Sequence, residues 1–93
     1  MPQTSVRTTI IKNIIATQAF RIGYDDAKNG RGFDQSYDDF HEKAQFDYER
    51  GRQFFFISGG RISPYKFQKK GFPAVSPAAI DNFAWHYSRG NIL

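Results

Sequence analysis

Between Ser36 and the Gly59-Gly60 pair, Tyr37, Phe40, Ala44, Tyr48, Gly51 and Phe55 recur at steps of three or four residues. That spacing lays them along one face of a helix. Asp38, Asp39, Glu42 and Glu49 fall mostly off the stripe. Ser36 is placed to cap the start, and acids in a first turn suit the helix dipole. Arg50 and Arg52 stand toward the other end, and the two glycines stop the run. A helix over about 37–57 is the anchor of the fold, and the rest of the chain must cover its apolar stripe. Within Phe54-Phe55-Phe56, Phe55 is expected in the core.

Two further helices are expected. SVRTTIIKNIIATQAFRIGYDDAKNG reads as one helix over roughly 5–29, with Ile11, Ile14, Ile15 and Ile22 near helical spacing and Asn29-Gly30 as its stop. The β-branched run TTII also suits a short strand, in which case Thr17 would cap a separate helix from about 18 to 29. The last helix, about 77–89, has Ser76 as cap, Pro77 at its first position and Gly90 after its last turn. Ile80, Phe83, Ala84 and Tyr87 form its apolar stripe, with Trp85 to one side. Between them, Pro64, Gly71 and Pro73 interrupt residues 59–75, which are expected to be an irregular basic segment with one short turn near 65–69. The expectation is a small all-α fold, one domain spanning residues 1–93. Aromatics, at 17% of the chain, supply much of its core.

Charge is segregated. Residues 1–24 carry Arg7, Lys12 and Arg21 and no acid, whereas residues 25–49 hold eight acids against Lys28, Arg31 and Lys43. Residues 50–72 then carry six cations and no acid. Either the blocks neutralise one another inside the fold, or they leave a basic surface for an acidic partner.

Little in the chain points to catalysis. The absence of cysteine removes disulfides, thiol nucleophiles and thiolate-bound zinc. His41-Glu42 does not continue into a zinc-protease pattern, because residue 45 is Gln. Asp25-Asp26 and Asp38-Asp39 are adjacent pairs whose members point to different helix faces, and they read as solvated helix charges. The turn Gly30-Arg31-Gly32 reads as flexible, and neither it nor Gly59-Gly60 has the context of a phosphate-binding loop. An enzymatic role, a cofactor and a metal are all unexpected.

The positive signal lies between Arg50 and Phe72. Six cations alternate there with Phe54, Phe55, Phe56, Tyr65, Phe67 and Phe72. Cations neutralise phosphates and release counterions, and flat rings stack on unpaired bases. Arg50, Arg52, Arg61, Lys66, Lys69 and Lys70 are the candidate phosphate contacts, and Tyr65 and Phe67 the candidate stacking rings.

The stretch TQAFRIGYDDAKNGRGF…SY…FDYERGRQFF resembles the ribosome modulation factor family of very small basic ribosome-binding proteins. Ala19, Gly23-Tyr24, Ala27 and Gly30 carry the likeness in the first helix, and Tyr37, Tyr48 and Gly51 carry it further on. It covers about residues 17–56. Ser36-Tyr37 stands where that family has Cys-Pro-Tyr, and Tyr48 where it has tryptophan. The resemblance implies a scaffold in which Gly23 and Gly51 let two helices approach closely, and a ribonucleoprotein partner.

Taken together, these features predict a non-enzymatic regulatory module that binds RNA or a ribonucleoprotein complex through the basic segment. The competing expectation is a phage-type inhibitor or adaptor, such as an anti-CRISPR, that engages a host protein complex through exposed aromatics. No apolar run reaches the roughly 20 residues that span a bilayer, so a cytoplasmic protein without a membrane partner is expected. Ile10, Ile11, Ile14 and Ile15 exceed what one helix face hides, which leaves a homodimer open.

Overall fold

The computed structural model describes residues 5–34, 41–66 and 74–93. Four helices occupy them: α1 (Ser5–Ala16), α2 (Gln18–Lys28), α3 (Glu42–Ser58) and α4 (Pro77–Ser88). A two-strand antiparallel ladder joins β1 (Tyr65–Lys66) to β2 (Ala74–Val75), with Tyr65 opposite Val75 and Lys66 opposite Ala74. No helix among the described residues is long and apolar enough to cross a membrane.

The expected single helix over 5–29 is broken at Thr17. Thr17 is extended (φ −69°, ψ 151°), and its hydroxyl accepts from the Phe20 N–H at 3.2 Å while donating to the Ile14 carbonyl at 2.8 Å. One threonine thus serves the end of α1 and the start of α2, satisfying groups that would otherwise be orphaned at the break. α2 ends on Gly30 in the left-handed region (φ 74°). The Gly30 N–H donates to Ala27 O (3.1 Å) and the Arg31 N–H to Asp26 O (2.8 Å), the pairing of a Schellman turn.

α3 begins later than the stripe indicates. His41, not Ser36, is its cap, extended at φ −66°, ψ 160°, with Nδ1 accepting from the Ala44 N–H at 3.4 Å. Tyr37, Phe40, Asp38, Asp39 and the predicted Ser36 cap lie outside the described residues. α4 matches its expected bounds, with Pro77 in its first turn. Ser76 makes no side-chain cap, however, and its N–H donates to the buried Pro64 carbonyl at 2.9 Å. Tyr65 and Lys66, where a short turn is expected near 65–69, are instead a strand held by the short ladder, with Pro64 tied to Ser76; residues 67–73 of the segment lie outside the described residues.

Ile11, Ile14 and Ile15 of α1, Phe20 and Tyr24 of α2, Phe54 of α3, Ala79 and Phe83 of α4 and the near-terminal Ile92 form the core. At its centre Phe20, Phe54 and Phe83 tilt against one another with ring centroids 6.0, 6.1 and 6.2 Å apart. Each such buried ring stabilises the fold by about 1.5–3 kcal/mol. Three of the four early isoleucines are hidden within this one chain, and Ile10 alone is exposed. Phe55 is half-buried, with its ring edge-on to Tyr24 at 5.6 Å.

α2 and α3 make the most extensive helix contact. Gly23 meets the backbone of Tyr48, and Gly51 meets that of Phe20 and Tyr24. A Cβ on Gly23 would collide with the Tyr48 carbonyl oxygen and lie 2.9 Å from its carbon. A Cβ on Gly51 would collide with the Phe20 carbonyl oxygen and lie 2.9 Å from the Tyr24 nitrogen. Only glycine at both positions lets the backbones come this close. Thr17 and Gln18 share a cleft with His41 and Lys43, whereas Arg31 beyond the end of α2 reaches Arg52 late in α3. The two helices therefore cross with their N-terminal ends on the same side, and residues 31–34 beyond α2 lie against Tyr48 and Arg52 of α3.

Candidate nucleic-acid interface

Residues 31–34 are pinned through a carboxylate expected, from the sequence, in solvent. Asp26 is 7% exposed. Its Oδ2 accepts from the Tyr48 hydroxyl at 2.6 Å and its Oδ1 from Arg31 Nε at 2.8 Å. The Tyr48 oxygen in turn accepts from the Asp34 N–H at 2.9 Å, and Phe33 meets the Tyr48 ring edge-on at 5.2 Å. Gly30-Arg31-Gly32 is therefore anchored, not a free turn. Burial by itself would raise the Asp26 pKa, but the hydrogen bonds from Tyr48 and Arg31 and the nearby Arg31 and Arg52 charges outweigh it and hold the carboxyl below its ordinary value. The Tyr48 phenol is pushed up, first by burial and then by its bond to Asp26.

On the outer side of this clamp lies a basic and aromatic surface. Arg52 Nη1 donates to the Arg31 carbonyl at 3.0 Å, and the Arg52 guanidinium lies over the Phe56 ring, 5.6 Å from its centroid. Phe56 is 61% exposed, Phe33 is also exposed, and the Arg31 side chain keeps 57% of its surface despite the ion pair. Direct contacts thus link Phe33, Tyr48, Asp26, Arg31, Arg52 and Phe56. Arg52 and Phe56 are four residues apart on α3, a spacing that brings side chains together on a helix and is legible in the sequence. Arg31 and Phe33 join them only through tertiary structure.

The candidate residues from the sequence divide. Arg52 belongs to this surface. Arg61 and Lys66 are exposed, with Arg61 Nε 3.4 Å from the Ser58 carbonyl. Arg50 is held internally, its Nη1 2.9 Å from Asp47 Oδ1 and its Nε donating to the Leu93 carbonyl at 2.8 Å, with 17% of the side chain exposed. Asp47, buried at 2%, also receives Lys43 Nζ at 2.7 Å. Part of the charge segregation is therefore neutralised within α3. Tyr65 packs against the core and donates its hydroxyl to the Ile15 carbonyl at 2.6 Å, and burial pushes its pKa well above the usual phenol range. Phe67, Lys69 and Lys70 lie outside the described residues.

A second exposed aromatic feature is on α4. The Arg89 guanidinium sits 3.7 Å from the centroid of Trp85, which is 52% exposed, and His86 meets the same indole edge-on at 4.9 Å. Among the described residues no group of three or more His, Asp or Glu is placed to hold a metal ion. Comparison with protein-family models, with curated proteins and with solved structures finds no match to this chain.

Proposed function

We propose that the protein is a non-enzymatic regulatory module that binds RNA or a ribonucleoprotein through the surface containing Arg52. The observation that carries the reading is the partly exposed Arg52 lying over the exposed Phe56 ring, in contact with Arg31 and near the exposed Phe33 in the chain. Cations on such a surface neutralise phosphates, and the rings offer flat faces to bases. Arg61 and Lys66, both exposed, extend the set of phosphate contacts. Arg50 and Tyr65 are left to the fold.

The test is a salt titration of RNA binding, read by fluorescence anisotropy, for the parent chain and for an Arg52→Ala/Arg61→Ala/Lys66→Ala variant. Loss of three phosphate contacts lowers the slope of log K against log salt by about 2, at roughly 0.7 per single-strand phosphate. An unchanged slope with unchanged affinity rejects the assignment. The Trp85–Arg89 stack favours a second reading, a protein-binding inhibitor or adaptor, because tryptophan and arginine are the residues that most often anchor protein interfaces. Under that reading Trp85→Ala abolishes capture of a protein complex that survives nuclease, and the triple variant leaves that capture intact.

A further inference from the structure

Resting on the nucleic-acid reading, we infer that the Phe33–Arg31–Arg52–Phe56 surface selects unpaired strands over duplex, with Phe56 as the residue that discriminates. A duplex keeps its bases stacked on one another and presents phosphates and groove edges, so cations alone suffice to hold it. A single strand exposes base faces, and an exposed ring gains affinity only from these.

Phe56 fits that role on three counts. It is 61% exposed, so the fold does not need most of its surface. The Arg52 guanidinium already lies over the ring, which places a cation beside any base that stacks there. Arg52 is itself tethered to the Arg31 carbonyl, and Arg31 to the buried Asp26, so neither has to be ordered when a strand arrives. Phe33, exposed, two residues beyond Arg31 and braced edge-on against Tyr48, supplies a second ring. Two exposed rings together with an arginine pair match a strand whose phosphates follow the cations while its bases turn onto the rings.

The test uses a labelled oligoribonucleotide of mixed sequence, alone and annealed to its complement, with the parent chain and with Phe56→Ala, Phe56→Leu and Phe56→Trp. The expected result is a preference for the single strand. Phe56→Ala and Phe56→Leu weaken single-strand binding by about tenfold and leave duplex binding unchanged, while Phe56→Trp retains or strengthens the preference. Leucine keeps the apolar bulk but has no π-face, so this pattern separates stacking from a merely structural effect. Far-ultraviolet circular dichroism verifies that each variant is folded. Equal binding of both forms, or equal losses on both, overturns the strand selectivity and leaves the RNA-binding reading standing. Binding of neither form by the parent chain overturns both.

Discussion

Replacing Gly51 by alanine sets helix propensity against packing, and the structure says which wins. Alanine is favoured over glycine in a helix interior by about 1 kcal/mol, so on local grounds Gly51→Ala stabilises α3. The new methyl, however, would collide with the Phe20 carbonyl oxygen and lie 2.9 Å from both the Phe20 carbonyl carbon and the Tyr24 nitrogen. These are backbone atoms of α2 and cannot rotate aside as a flexible side chain would. Overpacking costs about 1–3 kcal/mol, and a rigid partner places this case at the upper end. The net expectation is a loss of about 2 kcal/mol, or roughly 8–16 °C in Tm for a domain of this size. Urea denaturation followed by circular dichroism measures the loss as a lower midpoint with an unchanged m value. Gly32→Ala is the control, because nothing lies within 4 Å of a Cβ there. It should be neutral or stabilising by up to about 1 kcal/mol through the unfolded chain. A Gly51→Ala protein as stable as the parent would refute the close approach of α2 and α3.

Two further perturbations probe how the surface is held. Asp26 has a depressed pKa, so its contribution to stability is present above the unfolded value of about 3.9 and is lost as pH falls through the lower folded value. Asp26→Asn should therefore cost about 1–3 kcal/mol near neutrality and flatten the acid limb of the stability curve, measured by urea titrations from neutral to acidic pH. A parallel acid limb in the variant would show that another group sets it. Tyr65→Phe removes the hydroxyl donated to the Ile15 carbonyl and should lower stability by about 1 kcal/mol without altering RNA affinity. Weakened RNA binding at undiminished stability would return Tyr65 to the contact surface.

Where the chain's own local chemistry decides, the sequence suffices. Pro77 and Gly90 delimit α4, Gly30 stops α2 and Gly59 stops α3, because a fixed proline φ or a left-handed glycine acts within a few residues. The helical class follows likewise from the spacing of apolar residues, and so does Phe55 packing on the core. The break at Thr17 is a closer contest. The isoleucine periodicity runs through it, and the threonine's two side-chain hydrogen bonds decide it. The start of α3 at Glu42 shows the opposite limit, since an apolar stripe marks a face and not the residue where hydrogen bonding begins.

Which candidate residues join the proposed surface and which are taken up by the fold depended on contacts between residues far apart in the chain. Asp26 and Tyr48 are 22 residues apart, Arg50 and the Leu93 carbonyl 43, and Tyr65 and the Ile15 carbonyl 50. No local pattern marks Asp26 as buried and Asp25 as its more exposed neighbour, or withdraws Arg50 from solvent while leaving Arg52 beside an exposed ring. The sequence by itself determined the helical segments, their glycine stops and a supply of cations and rings after Arg50. Tertiary structure alone decided which of those cations and rings face outward. A side chain's burial depends on what packs against it, and here those partners are brought in by a crossing of α2 and α3 that two glycines make close.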